Sequence, residues 1–254
     1  MEPFRGNLTG QVYLSIRDRI LRGELPFGTP LSRRRLAHEI GTSIVPIGDA
    51  LQRLESEGLV ESRPRVGTRV RIPTPKSVRG HYILREALET QAARIFAERA
   101  GAQERESLRK LAAELDQQQA AVTEENTRSA EQMFDAHRLH MRFHMRIAEA
   151  SGCDELYDAI ERNQVLVFNW LFDNTLKRPA PPPNWHTILT NALSTGDPDT
   201  ADAAMRRHTR FRMDEVLESL EPYFHWDELR LNAYRAKNSA RTSKGSPATP
   251  GKPA

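Results

Sequence analysis

A chain of 254 residues is long enough for two domains, and its single cysteine, Cys153, excludes an internal disulfide and with it a disulfide-stapled secreted scaffold. No apolar run approaches bilayer length, which excludes a helical membrane protein and leads us to expect a soluble cytoplasmic one without a membrane partner. The net charge of +3 hides a segregation: residues 1–72 carry 12 Arg against eight acidic side chains, residues 237–254 carry four basic side chains and no acidic one, and the stretch between is left at −5. Basic ends on an acidic middle suit a head, and a tail, that meet a polyanion while the body does something else.

In chain order, residues 31–71 read as a short helix, a tight turn, a second helix and two strands around a glycine. Ser32 is placed to cap the first helix, Leu36, Ala37 and Ile40 recur at helical spacing, and Gly41 ends it. Thr42 or Ser43 then caps a second helix in which Pro46 is tolerated in the first turn and Ile47, Ala50, Leu51 and Leu54 face inward. Gly58 stops that helix, and residues 59–62 and 68–72 alternate as a hairpin would around Arg65-Val66-Gly67. This is the layout of a winged helix-turn-helix, whose second helix enters a groove of DNA. Arg33, Arg34 and Arg35 fall in a first helical turn, where each exposed cation opposes the helix dipole by about 0.3–1 kcal/mol. Phosphate and base contact would explain the run, and an ordinary solvated face is the alternative. Arg53, Arg63, Arg69 and Arg71 are further phosphate candidates.

Pro73 and Pro75 mark a linker at 73–79, after which helices are expected near 79–100, 103–121, 127–151, 154–176, 184–195, 198–220 and 223–236. The proline run at 178–183 is a stiff break, and Asp197-Pro198 is a strong start signal. From 237 onward the chain is too poor in apolar residues to fold. The expected organisation is thus a winged-helix domain at 1–72, a linker at 73–79, a helical domain at 80–236 and a disordered basic tail at 237–254. The fold class is mainly α: a winged helix-turn-helix with a small β-hairpin wing, followed by an antiparallel all-helical bundle. Six of the eight histidines lie at or beyond position 137, and His140 and His144 stand one turn apart on a stripe that Ile147 continues inward. Such a pair either ligates a metal or is satisfied by buried hydrogen bonds. His38, His81 and His225 read as surface residues, and Cys153 as a small buried hydrophobe.

The head also resembles the GntR transcriptional regulators through "IRDRILRGELPFGTPLS", "RRLAHEIGTS", "P-I-x-x-AL-x-RLESEGLV" and "GTRV", over residues 12–72. The resemblance implies a recognition helix at about 43–57 and DNA contacts from Arg33, Arg34, Arg35, Ser43, Ile44, Arg53, Arg65, Gly67 and Thr68. Family members usually carry arginines where this chain has Ile44 and Gly48, so an operator unlike the usual one, or weak binding, is expected. The body resembles the FCD ligand-binding domain of the FadR branch over roughly 80–222, through "LREALETQAAR", "HMRFHMRIAEASGCDEL" and "HTILTNALSTGDPDTADAAMRRH". Carried over residue by residue, that implies a divalent metal at His140, His144, His186 and His208. His140 stands where the family usually has aspartate, and the lost charge disfavours hard ions and favours zinc or nickel. Arg85, in the family's R-x-x-x-E with Glu89, would either hold a small organic-acid effector or make a structural salt bridge.

The resemblance as a whole implies an effector-responsive regulator, most often a repressor, that binds a pseudo-palindromic operator as a homodimer, with the linker passing a change in the bundle to the spacing of the heads. Two other classes are weighed beside it. A metal-dependent enzyme acting on a small organic acid lacks a general base, since no motif places a carboxylate beside the histidines, and no enzymatic activity is expected. An interaction protein with a degenerate DNA-binding head is the other, motivated by Ile44 and Gly48.

Overall fold

The computed structural model describes residues 8–64, 67–120, 130–172, 181–211 and 213–225. Arg65 of the wing turn, residues 178–180 at the start of the proline run, the helix expected beyond 225 and the basic tail lie outside the described residues.

The chain opens with α1 (Leu8–Leu21), which turns Val12, Tyr13, Ile16 and Ile20 inward at helical spacing and packs on α3. Both α1 and the two-residue strand β1 (Pro30–Leu31) precede the point at which the sequence reading began assigning elements. In α2 (Arg33–Ile40) the Ser32 hydroxyl accepts from the Arg35 amide at 3.3 Å, and Gly41 closes the helix at φ 74°. Helix α3 (Ile44–Ser56) has Ser43 at its N-cap position, without a side-chain capping bond, and buries Ile47, Ala50, Leu51 and Leu54 as the periodicity predicts, with Pro46 buried beside them. Gly58, at φ 81°, turns the chain into β2 (Val60–Arg63), which pairs antiparallel with β3 (Gly67–Val70). The sheet order is β1-β3-β2, with Val60 opposite Val70 and both fully buried. The wing is therefore three strands rather than a bare hairpin, because β3 also takes β1 on its other edge.

The helical domain starts earlier than expected. Residues 75–79, assigned to a linker from their prolines, are the beginning of α4 (Pro75–Arg99). The reason is local: Thr74 and Ser77 form a reciprocal capping box, and proline at the first helical position has no amide to waste. After it come α5 (Ala102–Ala120), α6 (Ala130–Glu149), α7 (Asp154–Phe172) and α8 (Trp185–Leu193). The stretch expected as one helix over 198–220 is two, α9 (Pro198–Arg210) and α10 (Met213–Phe224). No glycine or proline marks the break, so apolar periodicity ran through it. Beside it Phe211 lies 4.8 Å from the Trp185 ring, and α10 turns Val216, Leu217 and Leu220 toward the head. Among the described residues no helix is long and apolar enough to cross a membrane.

Among the described residues, apolar side chains gather in two clusters. One lies within the bundle around Phe96, Leu108, Phe143, Ile147, Leu193 and Met205. The other is shared: the head's Ile16, Leu36, Ile47 and Leu54 are continuous with Val78 and Tyr82 of α4, Phe134 of α6, Val165 and Leu166 of α7, and Val216 and Leu220 of α10. Phe27 packs edge-on against Tyr223 at 5.2 Å, and the Arg22 guanidinium sits 4.1 Å from the Phe134 ring and pairs with Glu131. The head's core is thus joined to the body's instead of closed on itself.

Candidate functional site

Two regions gather the residues singled out from the sequence. The first is the outer face of the head. Arg33, Arg34 and Arg35 are exposed at the start of α2, and Ser43 and Ile44 are exposed at the start of α3. Gly67 is exposed at φ 94° where β3 begins, and the half-buried Thr68 shares a hydrogen bond with Ser62 at 3.1 Å. Arg53, a DNA candidate from the sequence, is part-exposed but already engaged by the fold: its guanidinium lies 3.8 Å from the Tyr13 ring and pairs with Glu57 at 3.0 Å. Arg69 is likewise withdrawn, buried and paired with Glu61 at 2.6 Å.

The second region is inside the bundle, where α6 and α9 bring three histidines together and α8 brings a fourth beside them. Nitrogens of His140, His144 and His208 all lie within 4.8 Å of one another. His186 is outside that mutually close set of nitrogens, but its ring lies 5.1 Å from that of His140 and 5.3 Å from that of His208. His144 and His140 approach through their Nε2 atoms at 3.1 Å, the consequence of i,i+4 placement on α6.

Carboxylates behind the rings decide which nitrogen faces the centre. Glu89 of α4 has Oε2 2.6 Å from His144 Nδ1, which sets that ring with its Nε2 toward His140. Asp116 of α5 lies 2.9 Å from His186 Nδ1 and also accepts from the backbone amides of His186 and Thr187, which makes it the cap of α8 as well. This carboxylate–histidine pairing is the arrangement that orients metal ligands. Burial pushes His140 and His208 well below the ordinary histidine range, with the neighbouring histidines and Arg85 adding to it. Burial also lowers His144, against the opposing pull of Glu89. Neutral imidazoles are the form that binds a metal ion. His208 Nδ1 is buried and has no hydrogen-bond partner among the described residues, an orphan that a ligand to it would relieve. The residues present therefore fit a divalent ion of the borderline-soft kind, to which imidazole is a natural donor.

Arg85 joins this centre to the rest of α4. It donates from Nε to Glu89 Oε1 at 2.8 Å, and its Nη2 lies 3.2 Å from His144 Nε2, all of it buried. Gln164 of α7 completes the network by donating to the same Glu89 oxygen. Burial alone would raise the Glu89 carboxyl, but the Arg85 guanidinium and His144 override it and hold it at about 2. Asp116 is held at about 2 in the same sense, the hydrogen bonds from His186 and Thr187 outweighing its partial burial.

Sequence reasoning did not find Asp116 or Gln164, because each acts on a residue of another helix and neither belongs to a local pattern. His81, read as a surface residue, is half-buried and bonded to Asn163 at 2.8 Å, which ties α4 to α7. Cys153 is half-buried, with its thiol 3.6 Å from Glu155, and not part of the core.

The profile of the bacterial regulatory proteins of the gntR family matches residues 8–70, and that of the FCD domain matches residues 81–211. The chain belongs to the gntR family, in its FCD-bearing branch. It is 27% identical over 213 residues to the HTH-type transcriptional repressor RspR of Escherichia coli, covering 83% of this chain and 87% of RspR. It is 26% identical over 193 residues to the Nta operon transcriptional regulator of Aminobacter aminovorans, covering 75% of this chain and 86% of that one. Among solved structures, Escherichia coli McbR/YncC superposes with a TM-score of 0.67 at 22% identity, covering 84% of this chain and 98% of that chain, which shows a common fold. The relatives are transcriptional regulators by name, and RspR is named a repressor; a GntR head and an FCD domain make this chain a transcriptional regulator whose partner is DNA.

Proposed function

We propose that this regulator is a repressor that binds a pseudo-palindromic operator as a homodimer and is released from it, or held on it, by a small carboxylate taken up beside a divalent metal in the FCD domain. The observation that carries the reading is the buried junction of Arg85, Glu89 and His144 at the edge of the three-histidine centre. His140, His144 and His208, with His186 beside them, would hold zinc or nickel, which when bound supplies a positive charge and a ligand position for a carboxylate oxygen. Neutral imidazoles bring no negative charge to that ion, and Glu89 is already committed to Arg85, His144 and Gln164. An anion is therefore the ligand that balances the site, and the Arg85 guanidinium is the group placed to orient it.

On the DNA side, Arg33, Arg34 and Arg35 would meet phosphates, Ser43 and Ile44 the base edges, and Arg65, Gly67 and Thr68 of the wing the neighbouring groove or backbone. A single recognition helix reads few base pairs, and two-fold operators mirror two-fold proteins, which is the argument for the dimer. Coupling between the two sites runs through α7. Gln164 touches Glu89, and two residues on, Leu166 lies where a methyl group on Gly58 would meet it at 3.6 Å, at the C-terminal end of the recognition helix. Ligation that shifts Glu89 thereby biases the seating of the head on the body.

A catalytic role is disfavoured by the carboxylates themselves. Glu89 and Asp116, each held at about 2, are too weakly basic to take a proton near neutrality. No turnover of small organic acids by zinc-loaded protein is expected, and the reading places the protein in the cytoplasm with its DNA.

The test is selection of genomic fragments by the purified chain, followed by operator titration with and without zinc and a panel of small carboxylates. A palindromic site whose affinity moves with added zinc and carboxylate supports the whole reading. An operator affinity indifferent to both overturns the effector part.

A further inference from the structure

The first turn of α3 presents a surface that the fold itself does not use. Its inward apolar side chains, Ile47, Ala50, Leu51 and Leu54, are at most 2% exposed, whereas Ile44 is 48% and Val45 is 71% exposed. Scattered single apolar residues on a surface need no explanation. Two adjacent aliphatic side chains at the leading end of a helix, beside exposed Arg33, Arg34 and Arg35, do. The outward face continues through Gly48, Asp49 and Gln52 without a basic side chain, and the first one reached, Arg53, is held over Tyr13. Arg33 reaches to within 3.9 Å of the position a side chain at Gly48 would take, so a guanidinium borders the apolar tip.

This arrangement separates two kinds of contact. The arginines of α2 are suited to phosphate. The Ile44 and Val45 side chains offer no hydrogen-bond donor, and the exposed Asp49 behind them repels phosphate, so these two side chains are suited to apolar features on the edges of bases. The apolar feature on the floor of the major groove is the 5-methyl group of thymine. Resting on the DNA-binding reading above, we propose that Ile44 and Val45 recognise thymine methyl groups, and that each half-site carries thymine where the first turn of α3 enters the groove. Specificity in this head then comes from methyl contacts flanked by arginine–phosphate contacts, in place of a guanidinium paired to guanine from α3 itself.

The experiment uses the full chain. Duplexes enriched from a random-sequence library are resynthesised with deoxyuridine replacing thymine one position at a time, which removes the methyl group and leaves every hydrogen-bonding atom. Burial of one methyl group corresponds to about a fourfold change in affinity. The expected result is a loss of about fourfold at one or two thymines per half-site. In the Ile44→Ala/Val45→Ala variant, which alters only exposed side chains, thymine and deoxyuridine duplexes should bind equally. Equal binding of the two duplexes by the unaltered chain, an enriched site without thymine, or discrimination that survives in the variant would each overturn this inference while leaving DNA binding intact. Enrichment of no sequence at all would instead overturn the DNA-binding reading on which it rests.

Discussion

Burial sets the chemistry of the histidine centre, and it sets the pH response with it. His140, His144 and His208 all have their pKa lowered in the folded chain, so between those values and the unfolded value near 6.5 the unfolded chain takes up protons that the folded chain refuses. Their effect on stability is absent above that range and turns destabilising as pH falls through it. Glu89 acts further down: its folded value of about 2 lies below the ordinary carboxylate value, so its contribution is complete above that ordinary value and is lost as pH falls toward 2. The urea midpoint of chelator-treated protein should therefore fall between pH 7.5 and about pH 5.5. Replacing His208 by Gln should flatten that decline; a midpoint equally steep in the variant would show that His208 does not contribute to it. Asp116 offers a second handle. Asp116→Ala removes the group that orients His186 and caps α8, and zinc affinity should drop by about 10–100-fold with a stability cost of about 1 kcal/mol. Zinc titration with a competing chelator reads the first quantity, and unchanged affinity would take His186 out of the ligand set. His140 and His144 announce themselves in the sequence by their spacing, and His186 and His208 through family resemblance. Asp116 and Gln164 do not, because the bonds that give them meaning join helices far apart in the chain.

Local start and stop signals placed most elements, and they did so where a single residue type is required by backbone geometry. Ser32, Gly41 and Gly58 mark ends of α2 and α3, with both glycines in the left-handed region. The misplacements came from two other causes. Proline was read as linker at 73–79, although at the first position of a capped helix it favours the helix; and the boundary between α9 and α10 carries no breaker, lying beside the packing of Phe211 on Trp185 and of α10 on the head. Two glycines, one inside α3 and one just beyond its C-terminal end, make opposite predictions. Gly48 is a helix-interior position at which a methyl group would meet only Arg33 Nη1 at 3.9 Å, so Gly48→Ala should stabilise the chain by about 0.5–1 kcal/mol. At Gly58, φ is 81°, a backbone conformation that an L side chain adopts only under strain, so Gly58→Ala should destabilise by about 1–2 kcal/mol. Thermal midpoints of the two variants should move in opposite directions, and a shift of the same sign in both would contradict the backbone assignment at one of them.

Charge segregation between head and body is visible in composition alone, but the shared core is not, since no periodicity reports which helix a distant apolar stripe will meet. That core changes the mechanism by which the two halves communicate. With α4 starting at Pro75 and Val78, Tyr82, Val165 and Leu166 packed into the head's own cluster, little slack chain separates the halves, and on the proposed coupling a change in the bundle would reach α3 through packed side chains. The proposed route would have one polar step, from Glu89 to Gln164, and one apolar step, from Leu166 into the apolar cluster it shares with the head. Gln164→Leu removes the polar step and leaves Glu89 its contacts with Arg85 and His144. Zinc binding and operator binding measured separately should therefore change little. What should shrink is the ratio of operator affinities with and without zinc and carboxylate, toward unity from a coupling that for two linked sites is typically 5–150-fold. A variant that loses both bindings would point to a purely structural glutamine, and one that keeps the full ratio would show that the signal reaches the head by a path other than α7.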